Sequence, residues 1–600
     1  MKNKLINIFG CIFLILLITT EGRSQFVLDS IFIQDSIRHP FKLIKSDQRY
    51  DDAYQFSTTD FLTSTISGQV QYSTPGGLTT FLHRGMGNRH LPVLWNGTNI
   101  QSVINGSYDL SLIPVNLYDG LQFYTTGNPA LSGNNGVSGT LDIKSKKNRT
   151  PLEISTKVST LQNYTMSVRS DLNKNKYSGF TGIEYGYDRN IFKYKDDKLT
   201  LQRTPTDLNK LNIVYQGNYF ANQKQMIYID IWYQNANRNI PVSTTSAYID
   251  QHQIDNNLRI KAGFVQLLPR YKISSGITFM DEQLDFMTPA VNSISNVKVY
   301  IATLEISEIG DKNYFASVNW RKDLANPNFY SEIKSRNTWQ IALGKHIKKG
   351  DYTGSFSVRQ DLTDKKMMPV SFSFLNIFKK SSLQISKNYS LPGFNDLYWP
   401  SGGNESLKTE KSIQAEFKSQ AQYKKFLFSL SLYVNHVNDW IQWIPQASGL
   451  WSAVNQKKVL SRGLEGRIGK SFISNHWVIT PDIAYSFNKT TALDHYFDKN
   501  QIGKPLIYIP QHKVITSIKF VKDGHHLRLS YHLTGKRYDT TDQSSALPVI
   551  HLTDLSYSYV QKKYKLNLGV NNLLNQQYNI IRYFPMPGIN AEMKWTFSII

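Results

Sequence analysis

The chain has 600 residues and a formal charge of +23, with 35 Tyr, 31 Phe and 10 Trp, yet its overall hydropathy is slightly polar. No stretch of its body approaches ~18 uninterrupted apolar residues, which excludes helical membrane spans. The one cysteine, Cys11, excludes a disulfide framework, and no basic-aromatic module accompanies the charge, which argues against a nucleic-acid partner.

In chain order, Lys2 and Lys4 precede the apolar run Leu5–Ile18, and Gly22-Arg23-Ser24 follows. This is the pattern of a secretory signal peptide over 1–24, with cleavage expected after Ser24 and Gln25 as the new N-terminus. Ile8-Phe9-Gly10-Cys11 has the look of a lipoprotein cut site, but the apolar run continues through Ile18, so no lipid anchor is expected. Cleavage removes Cys11 and leaves a charge of +21. Residues 25–45 read as a linker. From 46 to 150 the texture changes: glycines are dense and apolar runs are short, such as Leu91–Trp95 and Leu110–Val115. That pattern predicts a small α+β domain with tight turns.

From 151 to the end, apolar and polar residues alternate with a period of two. Leu527, Leu529, Tyr531 and Leu533 interleave with His526, Arg528, Ser530 and His532. Such alternation predicts strands with one apolar face. Twenty-two segments of this kind run from 152–162 to 591–600. One set of connections is short, at Asn222, Pro269, Gly310, Lys349-Gly350, Lys424, Asp523 and Lys562. The other is mostly long, at 188–208, 236–255, 281–293, 323–333, 390–408, 440–452, 488–508, 535–547 and 572–590. Strict alternation of short and long turns is the signature of an antiparallel transmembrane β-barrel whose rims face different compartments, the short turns periplasmic and the long loops outside. A barrel of 22 strands has a lumen too wide to leave open, and the segment 46–150 is the candidate to fill it.

That segment carries four runs in order: Phe81-Leu82-His83-Arg84-Gly85-Met86-Gly87-Asn88-Arg89, Val93-Leu94-Trp95-Asn96-Gly97, Ile113-Pro114-Val115, and Gly133 through Ile143. Together they resemble the plug domain of TonB-dependent outer-membrane receptors. The barrel resembles the same family at Pro392-Gly393-Phe394-Asn395-Asp396-Leu397-Tyr398 through Leu407-Lys408-Thr409-Glu410, at Arg462-Gly463-Leu464-Glu465-Gly466, and at Gly569 through Tyr578 with Pro585–Gly588. Three features depart from the family pattern. Thr126-Gly127-Asn128-Pro129 stands where the family has Arg-Gly-Pro, Asn96 replaces an aspartate, and the chain ends Phe597-Ser598-Ile599-Ile600 rather than on an aromatic.

The resemblance implies roles. Asp29-Ser30-Ile31-Phe32-Ile33 is similar to a TonB box, an extended segment able to add a strand to the sheet edge of TonB, itself driven by an inner-membrane energising complex. Arg84 and Arg89 fall where plug arginines face wall carboxylates, with Glu410 and Glu465 as the matching wall positions. Cargo contacts are expected at Asn88, Arg89, His90 and Trp95 on the plug, and at Tyr398, Trp399 and Trp451 on loops, where rings can stack on a planar ligand. Trp440 and Trp443 are expected in the outer aromatic girdle. Asp196-Asp197 supplies too few oxygens for calcium and reads as a solvated turn.

No HExxH, Cys/His cluster or Gly-x-Ser-x-Gly elbow appears, so no enzyme, cofactor or resident metal is expected. The expectation is a monomeric barrel in the outer membrane of a Gram-negative bacterium, among lipid and lipopolysaccharide, whose phosphates the positive charge can meet. It would act as an active importer of a ferric siderophore or cobalamin. A haem or glycan receptor of the same family, a passive porin, or a barrel-embedded enzyme are the rival readings.

Overall fold

The computed structural model describes residues 48–49 and 56–599, apart from 119, 145–150, 197–198, 204–205, 247–249, 290, 311, 446–450 and 495–501. The expected signal peptide, the linker 25–45 with Asp29–Ile33, and Asp197 lie outside the described residues.

Twenty-two antiparallel strands among the described residues close into one barrel, from Leu152–Ser159 to Asn590–Ile599, and these two pair with each other. The alternation reads directly on the wall. Along Lys334–Lys349, Trp339, Ile341 and Leu343 stand about half exposed on the outside, while Arg336, Thr338 and Ala342 are buried within. Outside lies lipid, so the outward row must be apolar; inside lies protein, so the inward row is polar. Small residues serve the inner face: the Phe315 ring lies over its cross-strand partner Gly344, where an added Cβ would come within 2.0 Å of it.

The strands overrun their expected ends at one rim. The segment expected at 223–235 runs Gln225–Asn239, that at 270–280 runs Tyr271–Met287, and that at 425–439 runs Phe426–Pro445. Apolar alternation stops where lipid stops, but the hydrogen-bonded ladder continues beyond it. The connection expected at 281–293 therefore shrinks to 288–291.

Inside sits the N-terminal domain. Its sheet has the order Gln48–Arg49, Gly120–Tyr124, Thr140–Lys144, Val93–Trp95 and Thr98–Asn99, beside the hairpin Gly68–Gln71/Thr80–His83. Asn96 and Gly97 both take positive φ, forming the tight turn between Val93–Trp95 and Thr98–Asn99. The helix Thr58–Thr63 starts at Ser57, whose hydroxyl accepts from the Asp60 amide, while Asp60 Oδ2 accepts from the Phe56 amide. The core of Phe61, Val70, Phe81, Trp95, Ile100, Leu121 and Leu141 runs without a break into the wall at Phe180, Trp232 and Met280.

Candidate functional site

The seam between plug and wall has two unlike halves. Against strands 177–327 it is mainly apolar: the Trp232 ring lies 6.0 Å from Trp95 and 5.7 Å from Tyr118, and Val297, Val299 and Ala325 complete the patch. A few polar pins cross it, such as Arg238 to Asp109 at 2.5 Å and Lys261 Nζ to the Asn96 carbonyl at 2.5 Å.

Against strands 410–522 the seam is held mainly by charge and hydrogen bonds. Arg84 and Gly85 turn the chain with positive φ, and a Cβ on Gly85 would lie 2.2 Å from Thr490 Oγ1, so only glycine lets the turn press on the wall. The turn presents Arg84 to Glu465 at 2.9 Å and to Glu416 at 2.5 Å, over the Tyr433 ring at 4.0 Å. Burial opposes this charge, but Glu416 and Glu465 outweigh it and hold the guanidinium above its ordinary pKa. Beside it, burial and the Arg84 charge push His83 well below its ordinary value, so the ring is neutral and its Nδ1 faces the Ser138 carbonyl. Farther along, Lys513 Nζ donates to the carbonyls of Thr65 (2.7 Å) and Gly68 (2.8 Å).

At the long-loop rim, the connection 391–409 folds down onto the plug. The amides of Phe394 and Asn395 donate to the carbonyls of Val103 (2.9 Å) and Ile104 (3.1 Å). A Cβ on Gly393 would come within 2.6 Å of the Ile104 carbonyl, so this close approach needs glycine. Asp396 is the hub: it accepts from the Gly393 amide, pairs with Arg89 at 2.8 Å, and takes the Trp443 indole N–H at 2.9 Å. Asp396 and Glu410 overcome burial to raise the Arg89 pKa. Next to this hub, His90 Nε2 meets Glu410 at 2.8 Å, and Glu410 also accepts from the Ile441 amide at 2.7 Å. On the opposite edge of the plug, Thr206 Oγ1 donates to the Pro75 carbonyl at 2.8 Å.

These placements revise several expectations. Trp95 is wholly buried, its indole N–H donated to the Tyr118 hydroxyl, so it is a core residue and not a cargo contact. His90 is equally enclosed, between Glu410 and the edge of the Trp440 ring, and cannot meet a solute in this state. Arg89 pairs with Asp396, while Glu410 takes the neighbouring histidine. Trp440 and Trp443 do not belong to the outer girdle. Asp439, with φ 56°, drops out of the ladder between Asn438 and Trp440 without a change of register, and past this local kink the Trp440 ring lies against His90. Asn88, Tyr398 and Trp399 are partly exposed at the rim, and Trp451 is more than half exposed. Trp399 lies against Phe329, and Tyr398 against Tyr330 with Lys334 Nζ 4.6 Å from its ring.

Two departures from the family pattern find their reasons here. Asn96 Nδ2 donates to Asp230 Oδ2 at 3.0 Å, where an aspartate would set two carboxylates against each other. Thr126 Oγ1 donates to Gln384, and Asn128 caps the helix Pro129–Ser132, so neutral groups do the work at this turn. The residues missed from sequence are Glu416, Asp396, Trp232, Lys513 and Arg203. Glu416 had a signal, since it lies on the same strand face as Glu410, Ser412 and Gln414, all buried.

Comparison with known proteins places this architecture. The family profile described as "TonB dependent receptor-like, beta-barrel" matches residues 147–573, and that described as "TonB-dependent Receptor Plug Domain" matches 44–140. The chain is similar to the vitamin B12 transporter BtuB of Photobacterium profundum, 22% identical over 535 residues that cover 85% of this chain and 84% of that protein. Among solved structures it is similar to the siderophore receptor PirA of Acinetobacter baumannii, with a TM-score of 0.76, 14% identity and coverage of 94% and 99% of the two chains. It is also similar to the ferric enterobactin receptor PfeA of Pseudomonas aeruginosa, with a TM-score of 0.77, 12% identity and coverage of 94% and 99%. At such identities the solved structures speak for the fold alone.

Proposed function

This chain belongs to the TonB-dependent receptors, a family of transporters rather than enzymes, and we propose that its cargo is cobalamin or a ferric siderophore, imported across the outer membrane of a Gram-negative bacterium. The observation that carries this reading is the filled lumen: a plug clasped from above and held along one half of its seam by polar contacts. Such a barrel passes nothing bulky at rest, so import needs work done on the plug. Water can replace ion pairs and hydrogen bonds one by one as the plug shifts, whereas parting an apolar interface exposes its whole area at once, at roughly 25 cal/mol per Å².

In this reading Asp29–Ile33 adds as a strand to TonB, where main-chain hydrogen bonds in series carry load. The pull reaches the N-terminal part of the plug first, the part fastened by Arg84 and by Lys513. Asn88, Tyr398, Trp399 and Trp451 are the cargo contacts we propose, their rings suited to stack on a corrin or an aromatic chelator. The cobalamin alternative is supported by likeness to a vitamin B12 transporter, and the siderophore alternative by likeness in fold to siderophore receptors. A strain lacking the protein, grown on iron-limited and on cobalamin-limited medium, decides between them by where growth fails. Removing Asp29–Ile33 should abolish uptake while leaving surface binding intact; uptake that persists would overturn the active mechanism.

A further inference from the structure

Buried arginines of this protein normally sit against carboxylates: Arg84 against Glu416 and Glu465, Arg238 against Asp109, Arg359 against Asp361. Arg203, in the connection between Tyr177–Asp188 and Leu208–Asn222, does not; nor do Arg336 and Arg537, which bond main-chain carbonyls instead. The Arg203 side chain is 4% exposed. One N–H of Nη2 goes to the Val242 carbonyl, and Nε has no partner. Among the described residues no carboxylate pairs with it. Burial, opposed only by the Tyr194 hydroxyl, lowers its pKa below the ordinary guanidinium value.

A guanidinium carries five N–H donors in a planar fork that matches an oxyanion, and leaving them buried and unused is costly. The space for such an anion is present. Arg203 lines a cavity of about 400 Å³ at the long-loop rim, together with Thr206, Asn239, Gln251 and His252. Asp250 lines it too, without forming an ion pair to Arg203. The volume falls within the range of small-molecule sites. The cavity also adjoins the plug, since Thr206 bonds the Pro75 carbonyl and Pro241 lies over Gly77. An anion held here touches both the loops and the residues that anchor the plug tip.

We propose that this cavity is an anion subsite in which Arg203 takes an oxyanion group of the cargo, either a carboxylate or catecholate of a ferric chelate or the phosphodiester of a corrinoid. The identity of the cargo rests on the function proposed above; the subsite itself does not. Two experiments on the purified full-length receptor test them separately. In the first, binding of ferric enterobactin, cyanocobalamin and cobinamide, which lacks the phosphodiester, is measured for the wild type, Arg203→Gln, Arg203→Lys and Lys366→Gln. Lys366 is an exposed charge on the same rim. Arg203→Gln should weaken the anionic probe by about tenfold or more, Arg203→Lys less, and Lys366→Gln by less than about twofold. If the cargo is a corrinoid, the wild type should prefer cyanocobalamin over cobinamide and Arg203→Gln should lose that preference. In the second, crystals soaked in sodium tungstate should show an anomalous peak at Arg203 in the wild type and none in Arg203→Gln. Absence of that peak from the wild type, or unaltered probe binding by Arg203→Gln, overturns the subsite. A peak at Arg203 with no binding of any probe upholds the subsite and sinks the cargo reading.

Discussion

The two halves of the plug seam meet the same barrel with opposite chemistry. Against Trp232, Met280 and Val299 the plug continues its own core into the wall, whereas against Glu416, Glu465 and Lys513 it is joined through charged and hydrogen-bonding groups. A cavity of about 210 Å³ opens beside the helix Thr58–Thr63, lined by Asp60, Tyr72, His532 and Asp554 among others, so the N-terminal part of the plug also has room beside it. The difference teaches which part can move. Apolar contact is lost all at once and recovers nothing from water; polar contacts exchange partners with water singly. On the function proposed above, the half of the plug around Trp95 and Tyr118 would serve as an anchor and the half around Arg84 as a latch.

The largest effect is expected at the anchor. Trp232→Ala empties a fully buried site between Trp95 and Tyr118 and should cost about 3–5 kcal/mol of plug stability, read by hydrogen exchange across residues 91–124. A cost below about 1 kcal/mol would mean that the apolar half anchors nothing. Glu465→Gln comes next. It leaves Arg84 with Glu416 alone and should cost about 2 kcal/mol, seen as faster exchange around residues 80–90 with 91–124 unchanged. Equal loss in both segments would show that the seam opens as one piece and would erase the comparison.

Asp396→Asn should weaken the clasp by about 1–2 kcal/mol, because Arg89 loses its anion while the Trp443 indole keeps an acceptor. The readouts are exchange in 391–409 and a shift in tryptophan emission, with residues 80–90 keeping their protection. The smallest effect is a pH dependence at the latch. Burial and Arg84 hold His83 below its ordinary pKa, so the unfolded plug binds the extra proton. Stability is therefore full above about pH 6.5 and falls as pH drops below it, by about 1 kcal/mol at pH 6. His83→Gln should flatten that dependence; an unchanged slope would assign it to another group.

Much of the wall was legible because lipid and lumen impose a period of two, and each strand declares its faces residue by residue. Glu410 and Glu465 came from the family resemblance, and Glu416 lies on the same strand parity as Glu410. The site was legible only in part. Trp95 was expected to meet cargo because a short strand buried on both faces is apolar throughout and shows no period that would mark it as core. Trp440 was assigned to the girdle because side-chain direction follows the strand pattern only while the backbone stays extended, and nothing in the local sequence announces the positive φ at Asp439. Asp396 lies in a motif the resemblance had flagged, but its three partners come from Gly393, the plug at Arg89 and the wall at Trp443, two of them remote in sequence.

By itself the sequence determined a barrel of 22 strands with two unlike rims and a glycine-rich domain to fill it, since solvent, lipid and lumen each select residues locally along the chain. Which side of the plug is anchored and which is latched, where the long loop clasps it, and why Arg203 stands without a carboxylate were decided only by the tertiary structure. Those properties belong to pairs of groups hundreds of residues apart, and the burial that gives each pair its strength exists only once the barrel has closed around the plug.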